Sequence, residues 1–186
     1  MSALEHLSER DRAVLRSIFD PTVTIGDVAN DGDSFEEDDE PATAEFSESS
    51  VLCARGVQLA ESGKLEAALG ALNRGVEVAP TRAAAYNDRA QLLRLMQRDD
   101  DAMSDLERAL QLTAGSRGRA RAQALCQRGV LLRKRGAAEE ARAAFAEAAT
   151  LGSGFAKKQM VEMNPYAALC NQMLSQVMKG ERNVQL

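Results

Sequence analysis

Three positions recur along this chain at a spacing that leaves few folds open. Gly56, Ala68 and Leu72 are followed thirty-four residues later by Ala90, Ala102 and Leu106, and thirty-nine residues after those by Gly129, Ala141 and Phe145. Ala109 and Ala148 extend the match. A recurrence of this length, in a stretch rich in Ala and Leu, belongs to a two-helix unit that cannot bury its apolar face alone and stacks on copies of itself. Small residues mark where two helix backbones touch, and larger ones wedge between neighbouring units. The spacing predicts an all-α solenoid of three repeats.

The units run over 49–82, 83–116 and 122–155, with Pro80 at a helix-ending position. Gly63 and Gly136 mark the bend between the two helices of the first and third units. In the second unit Gln97 stands there, followed by Asp99, Asp100 and Asp101, which suit a helix N-terminus. Five extra residues, Arg117 to Arg121, break the period and predict a longer loop or an extended first helix of the third unit. Residues 156–186 read as two short helices interrupted at Asn164-Pro165, with Tyr166, Leu169, Leu174 and Val177 on overlapping faces of the second. A solenoid needs such caps, and a Met-rich partner site is the alternative reading of the same stretch.

The chain ahead of the repeats has a different character. Residues 1–25 place Leu4, Leu7, Val14, Leu15, Ile18 and Phe19 at the spacing of a short amphipathic helix, stopped by Asp20-Pro21. Residues 26–48 are acidic, broken by Gly and Pro and poor in bulky apolar side chains, and are expected to form a mobile linker that stays disordered. Residues 1–48 hold fourteen acidic and three basic residues, so the net charge of -5 conceals a strongly acidic arm on a mildly basic body. That split predicts an arm that folds back over the repeats, with Arg94, Arg117, Arg119, Arg121, Arg133 and Lys134 as places for it to dock.

Composition narrows the function. An acidic arm without a clustered basic face argues against a nucleic-acid partner, and no stretch reaches the eighteen or so apolar residues of a membrane span. The first twenty residues lack the apolar core of a signal peptide, and Cys53, Cys126 and Cys170 are odd in number and widely spaced. A cytoplasmic protein is expected, with the nucleus as a second location. His6 is the one histidine, Glu36 to Glu40 lack the loop pattern of a calcium hand, and neither GxSxG nor a phosphate-binding glycine loop is present. Neither an enzyme, a metal site nor a cofactor is expected.

The period of thirty-four is that of the tetratricopeptide repeat. The run AYNDRAQLLRLMQRDDDAMSDLERALQL, the early SIFDPTVTIGD and the late NPYAALCNQMLSQVMK resemble the tetratricopeptide repeat protein 36 family over nearly the whole chain. The resemblance implies a cytosolic adaptor linked to seventy-kilodalton heat-shock chaperones and to the protection of an enzyme of tyrosine catabolism.

In a repeat stack of this kind the first helix of each unit lines a groove. The register places Cys53 and Val57 there from the first unit, Asn87, Gln91 and Arg94 from the second, and Cys126, Val130 and Arg133 from the third. Such a groove suits an extended or helical peptide with an apolar anchor and a carboxylate. Many such grooves hold acidic chaperone tails in a clamp of Lys, Asn and Arg. The matching positions here are Cys53, Val57, Asp88, Gln123 and Gln127, and none keeps its clamp residue. A chaperone contact is therefore expected on another surface. Arg55, Arg89 and Arg128 precede the small residue in each unit and are expected to reach acids or carbonyls of neighbouring helices. The chain reads as a protein-binding adaptor, and the alternative is a regulatory inhibitor that acts through its acidic arm.

Overall fold

The computed structural model describes residues 34–38, 40–164, 166 and 170. Seven α-helices follow one another among them: α1 (Ala44–Glu61), α2 (Leu65–Val78), α3 (Ala83–Leu95), α4 (Asp99–Leu112), α5 (Arg119–Lys134), α6 (Ala138–Thr150) and α7 (Gly154–Glu162). The amphipathic helix expected over residues 1–25 and the first part of the expected linker lie outside the described residues, as does nearly all of the second C-terminal helix.

The helices pack as pairs, α1 on α2, α3 on α4 and α5 on α6. Each pair rests on the next through α2 with α3 and α4 with α5, and α7 closes the end against α6. Contacts of α3 with both α1 and α5 place the three first helices side by side on one face. The repeating small residues lie where the pairs cross: Ala68, Ala90, Ala102, Ala109, Ala141 and Ala148 are fully buried, against Leu72, Leu106 and Phe145. A small side chain lets two helix axes approach closely, so the contact is made by backbone and bulky partner together.

The bends follow from backbone geometry. Gly63 and Gly136 take φ of +76° and +80°, the left-handed conformation that ends a helix after its last turn, and Gln97 takes φ of 61° at the matching place. Asp99, Asp100 and Asp101 occupy the first turn of α4, where exposed N–H groups favour negative charge. Buried polar groups hold the pairs in place. The Ser49 hydroxyl donates to Gly75 O at 2.7 Å, Tyr86 donates to Pro80 O at 3.0 Å, and Arg89 makes a bidentate pair with Asp105 at 2.6 and 2.7 Å while reaching Asn73 at 3.1 Å. Arg89 thus ties its own unit to the one before.

Two boundaries differ from the sequence reading. The first helix begins at Ala44, capped by the Thr43 hydroxyl, which accepts from the Phe46 N–H; a Thr followed by helix formers suffices for that start. Residues 34–38 and 40–43 lie outside any helix, with an isolated parallel bridge between Glu36 and Gly118 and tight turns closed by Glu40 N–H to Asp38 O at 2.9 Å and Thr43 N–H to Pro41 O at 2.8 Å. The described residues ahead of α1 thus lie against the body. Bonds to specific partners, given below, supply what their own apolar content cannot. In the third unit the insertion yields both a loop and an extra helical turn, since α5 starts at Arg119, ahead of residue 122.

Candidate peptide-binding groove

An open cavity of about 310 Å³ lies between α3, α5 and the start of α7. Asn87, Gln91 and Arg94 come to it from α3, and Cys126 and Val130 from α5, so five of the eight residues singled out from sequence line one hollow. Asp88, Gln123, Gln127, Ser153, Phe155 and Phe35 complete it. Val57 lines a neighbouring apolar hollow of about 170 Å³ with Ala60, Leu92 and Leu95, which also touches Asp88 and Gln91. Val57 and Leu95 remain 42% and 60% exposed.

Cys53 and Arg133 lie elsewhere. Cys53 is 2% exposed and points into the α1–α2 contact, where a Cβ on Gly75 would stand 2.9 Å from its sulfur. Cys53 and Val57, four residues apart, share a face of α1, but the absence of a side chain at Gly75 lets the Cys53 thiol bury itself against α2. Burial pushes the Cys53 thiol up, the charge of Asp88 adds to this, and Arg82 and Ser49 oppose it. Arg133 turns toward α7, hydrogen-bonding Gln159 and pairing with Glu162 at 3.6 Å.

The middle of the cavity is polar and partly unsatisfied. Asn87 is 2% exposed; its amide donates to Ala120 O at 2.8 Å, while its own carbonyl oxygen has no partner, and the carbonyl oxygen of Gln127 is in the same condition. Arg94 is the cavity's cation. Burial holds it below the usual guanidinium range, Asp99 opposes that, and among the described residues none hydrogen-bonds its guanidinium. The apolar wall is Val130 with Phe155, whose ring meets that of Phe145 edge-on at 6.1 Å.

The acidic segment borders this cavity, and much of that docking escaped the sequence reading. Ser34 N–H donates to Gly152 O at 3.1 Å, and the Phe35 ring enters the cavity with the Arg119 guanidinium 6.0 Å above it. Glu36 pairs with Arg117 at 3.1 Å, Asp38 accepts the Ala120 N–H on both carboxylate oxygens at 2.9 and 3.1 Å, and Glu40 pairs with Arg82 at 3.2 Å. Of the docking sites expected from sequence, Arg117 and Arg119 meet the segment. Arg121 instead pairs with Glu147, and Lys134 with Asp99, both at 2.5 Å. Arg82, 9% exposed, had no sequence signal beyond its charge.

Among the described residues no group of His, Cys, Asp and Glu is arranged to hold a metal ion, and no helix is long and apolar enough to cross a membrane.

Stacked two-helix units with a lined inner face define a tetratricopeptide repeat protein, and a tetratricopeptide repeat family model matches residues 83–115. Relatives extend this to the whole chain. It is 50% identical over 179 residues to tetratricopeptide repeat protein 36 of Danio rerio, covering 95% of each chain. It is 43% identical to the Homo sapiens protein over 175 residues, covering 90% of this chain and 92% of that one. The chain belongs to the tetratricopeptide repeat protein 36 family. Solved structures agree on the fold. The first repeat domain of Spaghetti (RPAP3) bound to the HSP90 peptide SRMEEVD has a TM-score of 0.57 at 19% identity, over 66% of this chain and 95% of that one. The second domain of human RPAP3 in complex with the HSP70 peptide SGPTIEEVD has a TM-score of 0.54 at 21% identity, over 64% and 98%.

Proposed function

We propose that the chain is an adaptor that holds a protein segment in the hollow between α3 and α5, with a heat-shock chaperone and an enzyme of tyrosine catabolism as its partners in the cytosol. The observation that carries the groove is Arg94: a half-buried guanidinium beside an apolar wall offers a carboxylate and an apolar anchor one place to bind. The partner identities rest on membership of the family. A clamp is not the means, because the side chains at its positions in the cavity are Asp88, Gln123 and Gln127, one acid and two amides.

The peptides named with the two solved neighbours place an apolar residue before Glu-Glu-Val-Asp. Residues Phe35 to Asp39 of this chain have the same order of apolar, Glu, Glu, any residue, Asp. The docked arm also favours the second reading, a regulator whose acidic arm is itself the ligand of a groove.

Biolayer interferometry of the full chain against intact seventy-kilodalton chaperone, and separately against the enzyme, tests the groove. Arg94→Glu should weaken binding of its partner by about tenfold or more, since a repulsive charge replaces a half-buried cation. Unchanged affinity for both would remove the hollow as the binding site.

A further inference from the structure

The five-residue insertion of the third repeat has a use that repeat packing does not require. It supplies Arg117 and Gly118 in the loop, and Arg119 and Ala120 in the added turn of α5. All four meet the acidic segment. Glu36 bridges Gly118 and pairs with Arg117, Phe35 lies against Arg119, and Asp38 holds the Ala120 N–H.

The first contacts follow the geometry of an extended peptide. Around the bridge at Glu36, successive side chains point to opposite sides: Glu36 meets Arg117 and Asp38 meets the N-terminus of α5, while Glu37 between them is exposed to solvent. Past Asp38 the chain turns, with the Glu40 N–H donating to Asp38 O at 2.9 Å, and Glu40 meets Arg82. An aromatic anchor followed by acids at the first and third positions after it is a pattern that a groove can read.

The segment leaves part of the cavity open. Its described acids pair with Arg82 and Arg117, and Arg94 in the cavity lining receives none of them. An incoming ligand with a further acid can reach a cation that the chain's own segment leaves open.

We propose that residues 34–38, with Glu40, are a built-in ligand of the repeat body, and that their dock is a recognition site for a partner segment with an aromatic residue followed by acids at the first and third positions. Partner and arm compete for it. The arm is displaceable, because the Glu36–Arg117 pair is 66% and 62% exposed and Glu40 is itself accessible to solvent, and exposed pairs hold a segment only weakly. Its advantage is attachment, which gives a short tether an effective concentration of the order of millimolar. The inference deepens the adaptor reading and rests on it.

The test uses the full chain and a fluorescent peptide of residues 33–42, followed by anisotropy. In one variant the arm is undocked by Phe35→Ala, Glu36→Ala and Asp38→Ala, with its fold verified by circular dichroism. The peptide should bind this variant at least about tenfold more tightly than the natural chain, whose arm competes in cis. Adding Arg119→Ala to the variant, or replacing Phe by Ala in the peptide, should remove most of the binding, and salt at about 0.5 M should weaken it. Equal binding to both chains, or no binding to the undocked one, overturns the proposal. Binding that survives loss of the peptide's aromatic ring overturns the anchor. Arg94→Glu measured with chaperone and enzyme reads a different residue, so either result can fail while the other stands.

Discussion

Asp38 and Asn87 grip the two ends of one residue: the Asp38 carboxylate accepts the Ala120 N–H at 2.9 and 3.1 Å, and the Asn87 amide donates to Ala120 O at 2.8 Å. Ala120 stands in the first turn of α5, whose N-cap is Gly118, with no side-chain oxygen of its own to offer. An acid eighty-two residues earlier in the chain therefore does the work of a cap.

Asp38→Ala should accordingly behave as the loss of a helix cap and cost about 0.5–2 kcal/mol in urea unfolding. Asp38→Asn keeps an accepting oxygen and should cost less. Equal losses for the two variants would mean that the charge, and not the hydrogen bond, carries the effect.

Gly129 and Gly70 make an opposed pair. A Cβ on Gly129 would stand 2.7 to 2.9 Å from three atoms of the Phe145 ring, whereas one on Gly70, exposed within α2, meets nothing within 4 Å. Alanine gains about 1 kcal/mol of helix propensity at either place. At Gly129 overpacking of about 1–3 kcal/mol opposes that gain, so Gly129→Ala should lower stability by about 1 kcal/mol while Gly70→Ala raises it. Urea melts of Gly129→Ala, Phe145→Leu and the double variant should show a coupling of about 1 kcal/mol. Effects of the same sign at the two glycines would remove the proposed close contact.

The small-residue contacts and the bends were legible in the sequence because they are local and periodic. Ala68, Ala102 and Ala141 recur, and Gly63 and Gly136 punctuate. Asn87, Gln91, Arg94, Cys126 and Val130 could be brought together from the same register, because stacking repeats sets matching helix faces side by side. Cys53 shares a helix face with Val57, yet the missing side chain at Gly75 leaves room for the thiol to bury beside α2 while it still reaches Asp88 of α3, and a repeat frame does not show that depth. The docking of Phe35 depends on a partner eighty-four residues away, and acidic composition conceals it. Residues 36–40 are acidic at every position, so the sequence carries no mark of which carboxylates find partners; Phe35 at the head of the run was the one apolar signal.

Asp88 gives a stability test that depends on pH. It lines the groove on α3, and its carboxyl is held above the usual carboxylate range by burial, and secondarily by Glu40, with Arg82 and the Cys53 thiol pulling the other way. A folded-state value above the unfolded one means that the folded chain binds the proton more tightly. Asp88 therefore favours folding at acid pH, and that contribution is lost as pH rises from the ordinary aspartate value of 3.8 through the raised one. Above both values the carboxylate is ionised in folded and unfolded chains alike, and its desolvation stands as a full cost. Asp88→Asn, which keeps an oxygen to accept from Cys53, should raise the urea midpoint at neutral pH and leave it nearly unchanged below the unfolded value. A variant less stable than the natural chain at neutral pH would show that attraction to Arg82 outweighs burial at this position.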